Sequence, residues 1–458
     1  MYQVEKYEII SERNNISIVI FPEIPFWAAV DKKGLQILEF LKNGITLETL
    51  SDNSKLSQTE CQQFVETLEK SGVVYLNEKT NTVPHTLPDI RPNKVTFLQT
   101  IRCNLRCKHC CVADMNTINY KNMDIESAKL ALKRCYEIMD SGKKGVSFLG
   151  GEPFCGDHFI ELLIYASDLG FNVGLSTNAT LIDENFAKLA GERNFNVQIS
   201  LDGIDKKTHE SVRGIGTWNK AITAIKLLKK YHVDVQTNFV YHKGNIDEIE
   251  SYFEFAKEHG IKKARLTSLM NMGRAVGELQ RVPIDEFANK MIELVKRRTD
   301  LIEYVNETSF MGLILGAKFS QKMISCGAGV IAFTINPDGN VYPCLNLYDK
   351  KFEMFNILDD SYKEQFENSL VRKKFKELRV WNLNTKCKTC TYKLFCGGRC
   401  RGETYQETKD INKAYPYCEE WKRAMELVLW FLVDNPTFGN VKVNEVKENA
   451  MGYIDLWH

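Results

Sequence analysis

The strongest constraint on this chain is a set of three cysteines that directly follows an apolar, strand-like run. The run spans Val95 to Gln99, and Cys103, Cys107 and Cys110 then give the spacing C-x3-C-x2-C. Three thiolates can hold three irons of a 4Fe-4S cluster and leave the fourth iron open. An open coordination position serves chemistry, whereas a closed one is usually structural. The alternative is a zinc site that adds His109, although this residue is adjacent to Cys110 and awkwardly placed to share its metal.

Charge and apolar patterning argue against several classes of protein. The chain has 60 basic and 59 acidic side chains and no long Lys/Arg block, so nucleic acid is not an expected partner. Met1 to Ile10 lacks the apolar core of a secretory signal. The apolar stretch Leu427 to Val433 is far shorter than the roughly 20 residues that a membrane helix needs. We therefore expect a cytoplasmic protein without a membrane segment. Because that compartment keeps thiols reduced, the 14 cysteines point to metal or cofactor ligation rather than to disulfides.

A chain of 458 residues is expected to form more than one domain. Residues 1–76 form the first expected unit, with an alternating strand from Ile16 to Ile20 and a helix that starts at a capping box of Ser57 and Glu60. Residues 77–93 are polar and contain three prolines, which predicts a linker.

Beyond the linker, strand-like runs alternate with amphipathic helical patterns, which predicts a parallel α/β sheet over residues 94–319. One helix is expected after Asp124, with Gly142 beyond its end. From about residue 320 the alternation stops and most of the cysteines appear. We expect a cysteine-rich module over 320–430 and a tail over 431–458. The six expected strands are Val95 to Gln99, Val146 to Leu149, Val173 to Ser176, Val197 to Leu201, Val233 to Val240 and Ala264 to Leu269.

A second motif follows the second expected strand: Gly150, Gly151, Glu152 and Pro153. With the C-x3-C-x2-C spacing, it resembles the radical S-adenosylmethionine superfamily. The resemblance implies a partial (β/α)6 barrel whose open iron chelates S-adenosylmethionine. One electron from the reduced cluster would then cleave the cofactor to a 5′-deoxyadenosyl radical, so that the cofactor carries the difficult chemistry and the protein positions it.

The same resemblance implies which residues bind S-adenosylmethionine. The Gly150 to Pro153 segment would bind the methionine ammonium group. Polar residues at the ends of two further strands would contact the ribose and methionine moieties, and Arg213 would suit the methionine carboxylate. The polar residues at the strand ends are Ser176, Asn178, Ser200 and Asp202.

Seven later cysteines match the SPASM module of peptide-modifying radical enzymes. The resemblance implies that four of them close one auxiliary 4Fe-4S cluster and that three hold a second, which gives three clusters in the chain. The second cluster would keep an open iron, or a distant side chain or water would fill the position. Zinc knuckles are the alternative, since thiolate sets also bind zinc. The set of four is Cys387, Cys390, Cys396 and Cys418, and the set of three is Cys326, Cys344 and Cys400.

The first unit, residues 1–76, resembles the winged-helix-like recognition domain of ribosomal-peptide maturases, which binds a leader peptide as an added strand. A purely structural role is the alternative. The whole chain is most similar to the sactisynthase and SCIFF-maturase group, which forms thioethers between a cysteine sulfur and a carbon. The implied partners are a cysteine-containing precursor peptide and a flavodoxin or ferredoxin that donates electrons.

Two other functions stay open at this point. One is another SPASM chemistry: carbon-carbon crosslinking, epimerisation or formylglycine formation. The other is a non-catalytic peptide-binding scaffold that carries metal clusters. Four cysteines have no assigned cluster: Cys61 and Cys135 lie on apolar helical stripes and are expected in the core, whereas Cys111 and Cys155 have no predicted role.

Overall fold

The computed structural model describes residues 1–77, 90–112, 122–140, 142–318 and 326–438. Most of the predicted linker over 77–93, and residues 439–458 of the predicted tail, lie outside the described residues. Within the part that is described, no helix is both long and apolar enough to cross a membrane.

The N-terminal region combines a small antiparallel sheet with three helices. Strands β2, β3 and β4 pair in that order, and β1 pairs with β5. The predicted capping box is confirmed, because Ser57 and Glu60 cap helix α3 reciprocally. The elements are β1 (Tyr2–Val4), β2 (Glu8–Arg13), β3 (Ile16–Phe21), β4 (Phe26–Asp31), α1 (Lys32–Leu41), α2 (Leu47–Ser54), α3 (Gln58–Lys70) and β5 (Val74–Leu76).

The predicted parallel α/β core is confirmed, with all six strands within two residues of their expected bounds. The strands are neighbours in chain order. They are β6 (Lys94–Leu98), β7 (Gly145–Leu149), β8 (Asn172–Thr177), β9 (Asn196–Ser200), β10 (Val235–Tyr241) and β11 (Lys263–Ser268). The helices are α4 (Ile125–Ile138), α5 (Phe159–Asp168), α6 (Glu184–Glu192), α7 (Lys206–Arg213), α8 (Thr217–Lys230), α9 (Ile249–Glu258), α10 (Ile284–Arg297) and α11 (Ser309–Lys318). Asp124 caps α4, as its sequence predicts.

The cysteine-rich region extends the same sheet. Strand β12 runs parallel to β6, and β13 and β14 follow in antiparallel order. The stretch Leu427 to Val433 lies in α17, where Val428, Leu429 and Leu432 are buried as core residues. The elements are β12 (Ala332–Ile335), β13 (Asn340–Tyr342), β14 (Phe355–Asn356), α12 (Tyr362–Asn368), α13 (Leu370–Glu377), α14 (Thr385–Lys388), α15 (Lys393–Cys396), α16 (Arg401–Thr408) and α17 (Cys418–Asp434).

Strand β3 is buried on both faces and joins the N-terminal region to the rest of the protein. Ile18 and Ile20 belong to the large core of the parallel sheet. Val19 and Phe21 point the other way, into a second core with helices α1 to α3. At the same junction, the indole Nε1 of Trp27 donates to the backbone oxygen of Ala317 at 2.8 Å. The N-terminal sheet is therefore packed between two apolar layers.

Candidate functional site

The loop after β6 brings together the three cysteines of the C-x3-C-x2-C motif. Cys103 is exposed, Cys107 is buried and Cys110 is half-buried. Desolvation raises the pKa of both Cys103 and Cys107, and neighbouring thiols of the set act in the same direction. Thiols in such a place ionise readily only when a cation shares the site, because coordination to a metal ion deprotonates a thiol. The loop is therefore suited to metal ligation.

Two glycines after β7 press against the backbone of this cysteine loop. Gly150 has a φ of +145°, and an added Cβ would lie 2.1 Å from the Thr100 carbonyl oxygen. A Cβ on Gly151 would lie 2.2 Å from the carbonyl oxygen of Arg102. The amide of Glu152 donates to that same oxygen at 2.8 Å. Only glycine permits this approach, so the two glycines fix the residues that lead into Cys103.

The Glu152 carboxylate ties this segment to the end of β8. It accepts a hydrogen bond from Thr177 Oγ1 at 2.7 Å and one from the Asn178 amide at 2.8 Å. Burial raises the pKa of Glu152, against the lowering effect of these hydrogen bonds. Pro153 begins a short 3-10 turn and is buried. The predicted contact of Glu152 with a methionine ammonium group stays a prediction.

The other polar residues at strand ends lie along the same edge of the sheet. The side-chain amide of Asn178 lies 4.0 Å from the Cys103 sulfur. Ser176 is the next-to-last residue of β8, and Ser200 is the last residue of β9. Since the carboxyl ends of parallel strands meet at one edge, Ser176 and Ser200 lie on the edge of the sheet from which the cysteine loop leaves β6.

Asp202 follows β9 and is fully buried. Its Oδ2 accepts hydrogen bonds from Arg213 Nε at 2.5 Å and from His109 Nε2 at 2.6 Å. Its Oδ1 accepts a hydrogen bond from the Val240 amide at 2.8 Å. Burial alone would raise the pKa of the Asp202 carboxyl, but the charge of Arg213 and the contacts with His109 and the Val240 amide outweigh burial and hold the pKa well below its usual range. Asp202 is therefore an anion, and both of its carboxylate oxygens already accept hydrogen bonds.

Arg213 also faces the cysteine loop. Its Nη1 lies 3.8 Å from the Cys107 sulfur, and its Nη2 lies 3.3 Å from His109 Nε2. The pairing of Asp202 with Arg213 was not expected from the sequence, and the predicted contacts of the two residues with S-adenosylmethionine stay predictions. Sequence reasoning also gave His109 no role besides the disfavoured zinc site. The only sequence signal for His109 was its position between Cys107 and Cys110.

The four cysteines assigned to one auxiliary cluster line a single cavity. Cys387, Cys390, Cys396 and Cys418 line one pocket that is partly open to solvent. Burial raises the pKa of Cys396 to about 12, and Cys418 and Cys390 act in the same direction. A pocket with thiols on several sides suits a metal cluster that is bound by thiolates.

The three cysteines of the second auxiliary set also lie together. Burial raises the pKa of Cys344 well above its ordinary value, and Cys400 and Cys326 act in the same direction. The Cys400 sulfur accepts from the Glu403 amide at 3.3 Å, at the start of α16. Gly339 has a φ of +81° in the turn between β12 and β13, which leads the chain toward Cys344. The resemblance to the SPASM module implied the two auxiliary sets, and the structure places the thiols of each set near one another; their ligation of clusters stays a prediction.

The arrangement of these thiols differs from that of a site for a single metal ion. Among the residues that the structure describes, no three His, Cys, Asp or Glu side chains meet closely enough to hold one metal ion. In an iron-sulfur cluster each thiolate binds a different iron, so its ligands surround a space instead of converging on a point. Thiolates of the kind found in the three sets are the usual ligands of iron-sulfur clusters.

Comparison with known proteins gives the family of this site. The radical SAM superfamily profile matches residues 98–256, and the SPASM profile, an iron-sulfur cluster-binding domain, matches residues 326–391. The chain carries a radical SAM domain followed by a SPASM domain. The first match contains the Cys103 loop and Arg213, and the second starts at Cys326. The first match covers most of the parallel sheet but ends before β11, and the second covers the start of the cysteine-rich region but ends before Cys396.

Relatives of this chain have different named activities. The AdoMet-dependent heme synthase of Methanosarcina barkeri is 27% identical and aligns over 71% of this chain and 96% of its own. The mycofactocin maturase MftC of Mycolicibacterium smegmatis is 28% identical over 72% of this chain and 83% of its own. The subtilosin biosynthesis protein AlbA of Bacillus subtilis is 28% identical over 67% of each chain.

Two solved structures share the fold of this chain. The structure of anSMEcpe with bound AdoMet and the Cp18Cys peptide covers 75% of this chain and 99% of its own, with 22% identity and a TM-score of 0.63. The structure of Streptococcus suis SuiB bound to the precursor peptide SuiA covers 92% of this chain and 100% of its own, with 15% identity and a TM-score of 0.58. The second match extends over most of the chain.

Proposed function

We propose that this protein matures a ribosomally made precursor peptide by forming thioethers between a cysteine sulfur and a carbon atom of another residue. The observation that carries the proposal is the grouping of three cysteines, Cys326, Cys344 and Cys400, beside a complete set of four. No cysteine occurs between Gly327 and Pro343 to complete the smaller set. A cysteine of the peptide could supply the fourth thiolate ligand that this set lacks.

The radical chemistry is assigned to the first cysteine set. Cys103, Cys107 and Cys110 would hold a 4Fe-4S cluster that, with S-adenosylmethionine, supplies a 5′-deoxyadenosyl radical. The residues around the set would do the positioning: Gly150 and Gly151 hold the loop, and Glu152 links it to β8. Asn178 places its amide beside Cys103.

Each thioether removes two hydrogens from the peptide. One leaves the carbon as a hydrogen atom and is taken up by the 5′-deoxyadenosyl radical, which becomes 5′-deoxyadenosine. The other leaves the thiol as a proton, and the remaining electron passes to a one-electron acceptor of the iron-sulfur class. Because coordination lowers the pKa of a thiol, a cysteine held by the three-thiolate set would lose its proton readily.

The leader of the peptide is assigned to strand β4. In the described part of the chain, β4 pairs only with β3, so its outer edge has no partner strand. The opposite edge strand, β2, is instead next to the C-terminal helix, since Ser11 accepts from Trp430 Nε1 at 2.9 Å. An exposed edge accepts a further strand through backbone hydrogen bonds. Because the chain resembles peptide maturases, the leader of a precursor peptide is the expected added strand.

The electron donor is assigned to the surface of the cysteine loop. Arg106 and Lys108 are exposed on this loop, as is Cys103. Complementary charge steers association between proteins. An acidic flavodoxin or ferredoxin would therefore approach the first cluster from this side.

The test is anaerobic reaction of the reconstituted protein with S-adenosylmethionine, a reductant and a cysteine-containing peptide encoded beside the gene. Thioether formation predicts the loss of two hydrogens per crosslink, and the crosslinked cysteine should resist alkylation. Carbon-carbon crosslinking would also remove two hydrogens but leave the thiol free to alkylate. Epimerisation would leave the mass unchanged. A non-catalytic scaffold would release no 5′-deoxyadenosine.

A further inference from the structure

A buried charge network touches the cysteine loop of the radical SAM domain. Asp202 has no exposed side-chain surface, and the side chains of Arg213 and His109 are each 8% exposed. The carboxylate accepts from Arg213 and His109, and Arg213 also extends to the Cys107 sulfur. His109 lies on the cysteine loop itself, between Cys107 and Cys110.

The network is held in place from the sheet. The Val240 amide donates to Asp202 Oδ1 at 2.8 Å, and the Asn245 side chain donates to the backbone oxygen of Asp202 at 3.1 Å. These contacts come from the end of β10 and the loop after it. A buried carboxylate and guanidinium that are paired in this way are costly to separate, because either charge alone would be buried without compensation.

We propose that Asp202, Arg213 and His109 act as positioning residues that set the electrostatic potential at the cluster of Cys103, Cys107 and Cys110. Arg213 presents a cation and an N–H donor to the Cys107 thiolate. Asp202 orients the guanidinium and partly offsets its charge. His109 fastens the cysteine loop to the same carboxylate. The inference rests on the proposed ligation of a cluster by these three cysteines, and it gives the three side chains a role other than contact with S-adenosylmethionine.

The charges predict opposite effects for two neutral substitutions. A cation and a hydrogen bond near a ligand sulfur stabilise the more negative, reduced state of a cluster. Arg213→Gln removes the cation and leaves the carboxylate, so the midpoint potential should become more negative. Asp202→Asn leaves the cation unbalanced, so the potential should become more positive. A pair that served only to hold the fold would not give shifts of opposite sign.

The experiment is a redox titration of the reconstituted holoenzyme, without S-adenosylmethionine, followed by electron paramagnetic resonance. The signal of the first cluster is the one that is missing when Cys103, Cys107 and Cys110 are all changed to Ala. Arg213→Lys, which keeps the charge, should shift the potential less than Arg213→Gln. Arg193→Gln is the matched control, since Arg193 pairs with Asp168 at a more exposed position and should cause no shift.

Shifts of opposite sign for Arg213→Gln and Asp202→Asn are the expected result. Shifts of the same sign, no shift, or equal loss of the cluster from both variants would overturn the inference, because each is the behaviour of a purely structural pair. If no signal disappears in the triple cysteine variant, the proposed cluster assignment fails instead, and the two failures are thereby distinguished.

Discussion

The guanidinium of Arg213 lies with its Nη1 3.8 Å from the sulfur of Cys107. The two residues are far apart in sequence, on α7 and on the loop after β6, and the parallel sheet brings them together. Both belong to the radical SAM match. The contact links a charged side chain to the cysteine set on which the proposed radical chemistry depends.

Changing Cys103, Cys107 and Cys110 to Ala should abolish cleavage of S-adenosylmethionine while leaving the SPASM cysteines occupied. If three 4Fe-4S clusters bind, iron should fall from about twelve to about eight per chain. Iron analysis and chromatography of 5′-deoxyadenosine measure the two outcomes. A triple variant that still forms 5′-deoxyadenosine would place the site elsewhere.

Gly151→Ala should disturb the first cluster. The added Cβ would meet the carbonyl oxygens of Arg102 and Ile101 at 2.2 and 2.3 Å, so the cysteine loop must move. We expect a loss of about 1 to 3 kcal/mol in the free energy of unfolding, as for other overpacked sites, together with weaker iron binding at the first set.

Gly142→Ala is the matched control for this substitution, since a Cβ there would meet only the Asp140 carboxylate, at 3.9 Å. Thermal unfolding and iron content of both variants show whether Gly151 holds the cysteine loop in place. Equal stability and iron content in the two variants would contradict a role of Gly151 in holding the loop.

Proline substitutions on β4 should separate leader binding from chemistry. Ala28 and Ala29 are adjacent, and backbone N–H groups of adjacent strand residues point to opposite edges. One of Ala28→Pro and Ala29→Pro therefore removes a donor from the free edge, and the other breaks the pairing with β3. The variant that keeps its thermal stability should bind a labelled leader peptide at least about tenfold more weakly, which corresponds to about 1.4 kcal/mol.

The same stable variant should still cleave S-adenosylmethionine, because the first cysteine set lies in the other domain. Fluorescence polarisation with the leader and assay of 5′-deoxyadenosine measure the two properties. Unchanged leader affinity would remove β4 as the binding edge. Deletion of residues 1–76 is a less clean test, since it would remove Ile18 and Ile20 and uncover the part of the large core that they pack against.

The sequence predicted the local features of this fold well, because they depend on short patterns. The six strands of the parallel sheet and the Ser57 capping box follow from periodicity and cap chemistry. The C-x3-C-x2-C spacing indicated the first cysteine set, whereas the division of the later cysteines into two sets came from their resemblance to the SPASM module. These signals are contained within a few residues or in a motif of fixed spacing.

Long-range relationships were not predictable in the same way. The four residues of β12 form too short an apolar run to indicate pairing with β6, which precedes it by more than 200 residues. Strand β3 was expected to have one apolar side, yet both of its faces are buried because a second layer covers it. The pairing of His109 with Asp202 joins positions 93 residues apart, and no local pattern marks it.

The central claim is that the set of Cys326, Cys344 and Cys400 accepts a cysteine of the precursor peptide. The most direct measurement is the spectrum of the auxiliary clusters before and after addition of the peptide, in the absence of S-adenosylmethionine. A thiolate is a far better ligand for iron than a hydroxyl, so the native peptide should change the spectrum and a Cys-to-Ser peptide of nearly the same shape should not. If both peptides change the spectrum alike, or if neither does while the thioether product still forms, the account is wrong.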